Sequence, residues 1–335
     1  MTDAHLRKLK AEGRTATARV WTQALAAGRS AFTILEMLVS MTVLSLILVL
    51  LLTVNNQTMQ LWRRSSGSVD AFQAARLGFD VMIRQLKSAT LNVYWDYDPP
   101  FPDNPTRYVR RSDLAFVCGP AATLLGATYG PGQCVFFQTP AGRMNDPAAR
   151  RLKLVLNTCG FFISYGDVNQ AFPGFLSTPA RNRYRLMSVQ STGEEMSLFT
   201  GRTQNTWFTG QLGNARTVAE NVVLLVVRPL DAARVDLGYT LDTRLGESTK
   251  PQPATSNQLP PLLDVTMVVV TEDSENRKNS TAGYQFSAAD LSGLFTNPAS
   301  YDQDMTAFQA VLAREKLDYR VFRQQVSLPN SKWSD

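Results

Sequence analysis

The longest apolar run in the chain extends over residues 32–54 and contains a single charged side chain, Glu36. As an α-helix that rises about 1.5 Å per residue, the run would be about 34 Å long, enough to cross a hydrocarbon core of about 30 Å. A carboxylate deep in lipid costs roughly a few kcal/mol. The run therefore predicts one transmembrane segment, and the cost of Glu36 indicates that this side chain has a specific role.

An amphipathic pattern follows the apolar run. Its apolar residues recur mostly at intervals of three, seven and eight, which is typical of a helix with one face on a core: Leu61, Val69, Phe72, Phe79, Met82, Ile83 and Leu86. The pattern predicts that the transmembrane half, residues 32–54, continues into an amphipathic half, residues 55–91. Residues 65–68 are a weak point because their helix propensity is low. Prolines end the helix by residues 96–100.

Short apolar segments separated by turn residues make up most of the remaining chain, residues 92–335. They predict strands at 114–117, 134–137, 152–156, 160–165, 184–189, 196–199, 222–227 and 265–270, with a turn at Asn157. Residues 231–260 predict a long connection. A short amphipathic helix around Phe308 and a last strand at 322–328 complete the pattern. The fold class predicted is α+β, with a long N-terminal helix packed on an antiparallel β-sheet head.

The charge is distributed unevenly along the chain. Residues 1–31 hold six basic and two acidic side chains, so they carry +4 of the net charge of +6. A basic segment before a transmembrane run indicates that the N-terminus stays in the cytoplasm and that the rest is exported. The basic pI is therefore weak support for a nucleic-acid partner.

The start of the apolar run resembles the processing site of type IV pilins and pseudopilins. The matching residues are Phe32-Thr33-Ile34-Leu35-Glu36-Met37-Leu38-Val39. The resemblance implies that a prepilin peptidase removes leader 1–31 by cutting between Ala31 and Phe32, and that the new amine of Phe32 is then methylated. The family usually has Gly before the cut, where this chain has Ala31. The resemblance also implies that Glu36 pairs with the Phe32 amine of a neighbouring subunit during assembly.

Two further resemblances concern the segments beyond the apolar run. Residues 76–86 look like the second helical half of J-type minor pseudopilins of type II secretion, and the strands at 222 and 265 look like the late strands of those proteins. Residues 90–97 and 319–334 resemble the prepilin-like Verru_Chthon cassette protein C family. That family has no assigned activity, so the second resemblance implies a place among prepilin-like proteins and no chemistry.

Catalytic side chains are scarce. The one histidine, His5, lies in the leader, so a processed chain has no Ser-His-Asp or Cys-His constellation. Phosphate-binding and dinucleotide-binding motifs are absent from the sequence. We predict that the protein is not an enzyme and binds no cofactor, although hydrolysis by a pair of carboxylates stays open.

Two candidate sites remain in the head. Asp96, Asp98 and Asp103 form an oxygen-rich cluster of the kind that calcium binds, but without EF-hand spacing, so a solvated acidic loop is favoured and no metal is predicted. Cys118 and Cys134 flank a segment rich in glycine and proline that could bring them together in a disulfide. The alternative is that these two and Cys159 are buried thiols.

Residues 107–111 and 181–185 interleave arginines with aromatic or apolar residues. Such segments can bind phosphates and stack on bases, yet ordinary solvated strands have the same composition. We therefore expect no nucleic-acid partner.

The sequence as a whole predicts a minor pilin-like or pseudopilin-like structural subunit. We expect a single pass through the inner membrane, a periplasmic head, and assembly with other pilin or pseudopilin subunits into a type IV pilus-like or type II secretion filament. Its partners would be the prepilin peptidase, those subunits and inner-membrane lipid. The alternatives are a tip subunit for adhesion or DNA binding, and an uncleaved single-span protein with a periplasmic head.

Overall fold

The computed structural model describes residues 33–98, 104, 106–126, 129–148, 154–167, 181–201, 204–272, 285–291 and 293–334. The leader and the cleavage residues Ala31 and Phe32 lie outside this part of the chain. The chain divides into two compact units, Met1–Arg63 and Arg64–Asp335.

The N-terminal helix, α1, extends over Ile34–Lys87. It passes through residues 65–68 without a break, where the Ser68 hydroxyl donates to the Ser65 carbonyl at 2.9 Å. The predicted end was wrong, because α1 ends four residues before residue 91. The chain turns there because Ser88 N donates to the Gln85 carbonyl at 3.1 Å, and Thr90 N then donates to Gln138 O on the sheet at 2.9 Å.

Residues that were expected to lead into a proline break form a hairpin instead. Strand β1, Tyr94–Asp98, pairs antiparallel with β2, Arg107–Arg111, in a two-stranded sheet. The side-chain oxygen of Asn92 holds the base of the hairpin by accepting from the backbone of Asp113 and Leu114.

A six-stranded antiparallel sheet forms one layer of the head. Its strands are β3 Val117–Pro120, β4 Gln133–Pro140, β5 Leu156–Asp167, β6 Asn182–Gln190, β7 Arg216–Glu220 and β9 Leu241–Asp242, in the order β7-β6-β5-β4-β3-β9. Short helices lie between the strands: α2 Ala121–Leu124, α3 Leu198–Gly201 and α4 Thr206–Thr209.

A three-stranded antiparallel sheet forms the other layer, in the order β11-β10-β8. Its strands are β8 Val222–Leu230, β10 Leu262–Val270 and β11 Tyr319–Ser327, and helices α5 Ala288–Leu291 and α6 Tyr301–Arg314 precede the last strand. Residues 222–227 of β8 are completely buried. A strand covered on both faces needs an unbroken apolar sequence rather than an alternating one, which explains the Val-Val-Leu-Leu-Val-Val run.

Helix α1 packs against both sheets through its second half. The rings of Phe79 on α1 and Phe322 on β11 lie 6.1 Å apart. A Cβ built on Gly78 would lie 3.0 Å from Ala219 Cβ on β7, so the helix and this strand approach too closely for a larger side chain. The architecture confirms the α+β class with a long N-terminal helix on antiparallel sheet.

The strands predicted at 184–189, 222–227 and 265–270, the helix around Phe308 and the last strand are confirmed. The turn at Asn157 was wrong. Its side chain is buried inside β5 and donates to the carbonyls of Arg143 at 2.7 Å and Ser191 at 3.0 Å, so this polar residue fastens the sheet instead of ending a strand. The strand at 196–199 was also wrong, since Leu198 begins helix α3.

The strand expected at 114–117 starts only at Val117. Residues 114–116 are buried, but their backbone N–H groups donate to side chains, and Thr243 N donates to the Phe116 carbonyl at 3.1 Å. Ala115 N donates to Gln138 Oε1 at 2.8 Å, and Phe116 N donates to Thr243 Oγ1 at 2.9 Å. Burial gave this segment its apolar sequence without requiring a β-ladder.

Candidate functional site

The first half of α1 is an unusual surface because it is apolar on every side. Each described residue from Thr33 to Trp62 is exposed within the protein. In the described part of the chain, one helix is long and apolar enough to cross a membrane, and it is α1. A helix that is hydrophobic all round requires an apolar environment, which is either lipid or other protein.

The start of α1 is built by Thr33 and Glu36. Thr33 Oγ1 accepts a hydrogen bond from Glu36 N at 3.2 Å, and the Thr33 carbonyl accepts from Met37 N at 3.1 Å. Thr33 is therefore the N-cap and Glu36 the third residue of the helix, in the Ser/Thr-x-x-Glu arrangement that starts many helices. A carboxylate in the first turn also interacts favourably with the positive end of the helix dipole.

Glu36 is exposed, and it forms no ion pair within the described residues. Its carboxylate lies in the first turn of α1, at the beginning of the exposed apolar half of the helix. A cation would have to be supplied at that end of the helix to neutralise it. The proposed pairing amine of Phe32 and the cleaved bond after Ala31 lie outside the described residues, so processing, methylation and pairing stay predictions.

The second half of α1 buries an apolar face in the core of the head. Its buried side chains are Ala75, Phe79, Met82, Ile83 and Leu86. This confirms the predicted stripe over its last part, from Phe79 to Leu86. The stripe begins later than expected, because Leu61 and Val69 are exposed and Phe72 is only partly buried.

The three cysteines are free thiols with completely buried side chains. The register places Cys118 opposite Val135 and Cys134 opposite Gly119, so the two side chains point to opposite faces of the sheet. A Cys118–Cys134 disulfide would require a slip of one residue between β3 and β4, and this prediction is wrong for the fold described here. Burial raises the pKa of the Cys118 and Cys159 thiols to about 12, so both stay protonated at neutral pH.

The calcium candidates Asp96 and Asp98 are engaged with arginines in the β1–β2 hairpin. Asp98 Oδ2 lies 2.6 Å from Arg107 Nη2, and Asp96 Oδ2 lies 3.4 Å from Arg111 Nε. Asp103 lies outside the described residues. Among the residues that are described, no group of three or more His, Cys, Asp or Glu side chains could hold a metal ion.

The segments that combine arginines with aromatic residues are largely structural. Arg110 is buried and donates to the carbonyls of Ser256 at 2.9 Å and Pro253 at 3.0 Å. In the second segment Arg181 pairs with Glu272 at 2.5 Å, and the Tyr184 hydroxyl accepts from Phe286 N at 3.1 Å. These side chains hold elements of the head together. The guanidinium groups of Arg110 and Arg181 already have partners within the head.

Sequence reasoning missed a charged cluster on the three-stranded sheet. Asp264 on β10 lies between Arg228 on β8, at 2.6 Å, and Arg323 on β11, at 2.7 Å. Both guanidinium groups lie over the ring of Tyr301, at 4.0 and 4.8 Å from its centroid. The Tyr301 hydroxyl forms a 2.6 Å hydrogen bond with Thr266 Oγ1. The signal was a lone Asp inside an apolar segment, one residue before the strand predicted at 265–270.

Burial would by itself raise the pKa of the Asp264 carboxyl. The hydrogen bonds and positive charges of Arg323 and Arg228 outweigh this effect and hold the pKa below its usual value. Asp264 is therefore ionised at neutral pH and joins three strands to α6.

The fold and the apolar helix define a class: an α+β protein with one N-terminal helix able to span a membrane. No family model matches the chain, and no curated protein matches it. Among solved structures, the chain is similar to a type IV-like pilin from Thermus thermophilus at 11% sequence identity and a TM-score of 0.31, over 77% of this chain and 96% of that chain.

Proposed function

We propose that the protein is a minor pilin-like or pseudopilin-like subunit that acts by assembly and not by catalysis. One observation carries the proposal: a single helix, Ile34–Lys87, has an exposed apolar first half and a second half built into the core of the head. The resemblance of residues 32–39 to a prepilin processing site supports it. In this proposal a peptidase removes residues 1–31, and the helix then leaves lipid to join a bundle of identical or related helices.

Glu36 is the residue on which assembly depends in this proposal. In lipid the carboxylate is costly, by about 2.5–3.5 kcal/mol at the centre of a helix and less near its end. In a bundle, the Phe32 amine of a neighbouring subunit would supply the missing positive charge. Because removal of one partner from a desolvated pair is strongly unfavourable, the pairing would fix which subunits join and in what register.

The test replaces Glu36 in cells that process the protein normally. We expect Glu36→Leu to insert into the membrane and keep a folded head, but to lose about tenfold or more in crosslinking to neighbouring subunits. Glu36→Asp should be intermediate, because its carboxylate reaches one methylene less far. Asp70→Asn is the matched control, since it removes an exposed carboxylate from the second half of the same helix.

The intact mass of the membrane-extracted chain separates the possible failures. If the mass shows that the chain begins at Phe32, and Glu36→Leu still crosslinks as well as the parent, the pairing mechanism is contradicted. A mass that retains the leader would instead support the uncleaved single-span protein, and assembly would then not be expected for either chain.

A further inference from the structure

The β1–β2 hairpin presents three aromatic side chains to solvent on one face. Tyr97 lies opposite Tyr108, and Trp95 lies opposite Arg110, so all four side chains leave the same face of the two strands. The exposed fractions of Trp95, Tyr97 and Tyr108 are 63%, 42% and 63%. We call these three residues the aromatic platform. A contiguous exposed aromatic surface of this kind marks an interaction site. Covering it with a ligand removes more apolar area from water than covering ordinary polar surface does, and so gains more free energy.

The two tyrosines of the platform act as one unit. Their ring centroids lie 4.8 Å apart with the planes tilted by 34°. The Tyr108 hydroxyl donates to the Tyr97 hydroxyl at 3.2 Å, a hydrogen bond that raises the pKa of Tyr108. The Tyr97 proton is left free to donate, and the Tyr108 oxygen can still accept. The platform therefore combines apolar ring faces with a donor and an acceptor at their edge.

Contacts of Arg110 hold the platform in place. The guanidinium of Arg110 lies 6.0 Å from the centroid of the Trp95 ring while it donates to backbone carbonyls of residues 253–256. The side-chain amide of Gln252 accepts from Arg110 N at 2.7 Å and donates to Arg110 O at 3.0 Å. A surface fixed in this way loses little conformational entropy when a ligand covers it.

The charges of the hairpin decide what kind of ligand fits. Arg107 pairs with Asp98, and Arg111 pairs with Asp96 and Glu247. Arg110 is buried, and its guanidinium group donates to backbone carbonyls. In the described part of the hairpin, every guanidinium is thus already engaged and none is left to neutralise a phosphate or carboxylate on a partner. A charged ligand would lose hydration without gaining an opposite charge, so charge complementarity favours a neutral one.

We propose that the aromatic platform binds a neutral polysaccharide. A pyranose ring presents polarised C–H bonds on one side, which are attracted to the negative face of an aromatic ring, and hydroxyl groups around its edge. Trp95 and Tyr108 would stack on sugar rings, while the hydroxyl pair of Tyr97 and Tyr108 would bond to sugar hydroxyls. The proposal goes beyond the assembly function, and it does not require that the chain is processed or forms a filament.

The test is depletion of the full chain, kept in detergent micelles, by insoluble cellulose and by insoluble chitin at physiological salt. We expect the parent to bind at least one of them. Trp95→Ala and Tyr108→Ala should each weaken binding about tenfold or more, because each removes one of the rings on which a sugar would stack. Tyr97→Phe keeps the ring and removes a hydroxyl, so its loss should be smaller. Phe199→Ala, which removes an exposed aromatic ring elsewhere, is the matched control and should bind as the parent does.

Three results would overturn the proposal. The first is that neither polysaccharide depletes the parent from solution. The second is that Trp95→Ala and Tyr108→Ala bind as well as the parent. The third is that these two variants instead lose binding to single-stranded DNA, which would assign the platform to base stacking. Thermal unfolding of each variant shows whether its head is intact. Failure of assembly in the Glu36 experiment leaves these measurements unaffected, because they use the unassembled chain.

Discussion

At the scale of single residues, Asp264 shows how a charge can be placed inside a sheet. Its side chain is 7% exposed and lies between two guanidinium groups that approach from the neighbouring strands on either side. The strand around it was predicted from its β-branched residues, but Asp264 itself was not. An acidic residue next to an apolar run is typical of a strand end. Only the register shows that Arg228 on β8 lies directly across from Asp264, and that Arg323 on β11 lies two residues from its partner Gln325, on the same face.

We expect Asp264→Asn to destabilise the head by about 3 kcal/mol, because it leaves two cations close together without their shared anion. Arg323→Gln should cost less, about 1 kcal/mol, since the Arg323 side chain is 48% exposed and solvent screens its pairing. Denaturant unfolding of the full chain measures both changes. Equal losses in the two variants would contradict the central place of the carboxylate.

The lowered pKa of Asp264 also predicts an acid dependence. A carboxyl whose folded pKa is depressed adds stability that is complete above the unfolded pKa of about 4 and disappears as the pH falls through the folded pKa. Stability of the parent should therefore fall below pH about 4 more steeply than that of Asp264→Asn. Part of the slope should remain, because hydrogen bonds from Ser287 and Arg314 lower the pKa of Asp290 to about 2.

At the scale of elements, the sequence was most informative where one physical requirement dominated. Helix α1, the central strands β8 and β10, and helix α6 follow from apolar periodicity or from unbroken apolar runs. The end of α1 and the strand through Asn157 did not follow. The Asn157 amide donates to the carbonyls of Arg143 and Ser191, and after α1 Thr90 N donates to the carbonyl of Gln138, so both depend on distant parts of the chain. Such bonds depend on tertiary position and leave no periodic pattern.

The packing of α1 on β7 can be tested with two glycines of the same helix. Gly78→Leu should destabilise the head by about 1–3 kcal/mol, since its side chain would have to displace Val218 and Ala219. Gly67 has no atoms within 4 Å of a Cβ built on it, so Gly67→Leu should raise stability by about 0.5–1 kcal/mol through helix propensity alone. Denaturant unfolding compares the two, and a destabilised Gly67→Leu would show that this part of the helix is also packed.

At the scale of the whole molecule, the boundary between the two units falls inside α1, near Arg63. The sequence predicted a transmembrane half that ends at residue 54 and an amphipathic half that follows it. The sequence did not predict that the strands of the head would form two separate antiparallel sheets and a two-stranded hairpin. The aromatic platform was also missed, because its residues were interpreted as the end of a helix and as a basic segment, and only strand register brings them together.

A chain that begins at Ser68 should fold as a soluble domain, because it keeps every buried residue of the α1 stripe. A chain that begins at Ala89 should be unfolded or aggregated, since Phe79, Met82 and Leu86 would no longer cover the sheets. Circular dichroism and size-exclusion chromatography distinguish the two. A well-folded shorter chain would show that α1 is not part of the core.

Strand β11, the last strand described in the head, packs against helix α1. Phe322 on β11 contacts Phe79 on α1, and Asn330 Nδ2 donates to the Ala89 carbonyl at 3.0 Å, across 241 residues of sequence. A chain synthesised from its N-terminus therefore keeps part of the apolar stripe of α1 uncovered until β11 has emerged from the ribosome. Contacts of such long range also make folding slow, because distant segments must meet before any stabilisation is gained. We therefore expect the head to complete its core only once β11 is available, and the uncovered stripe to be open to aggregation until then.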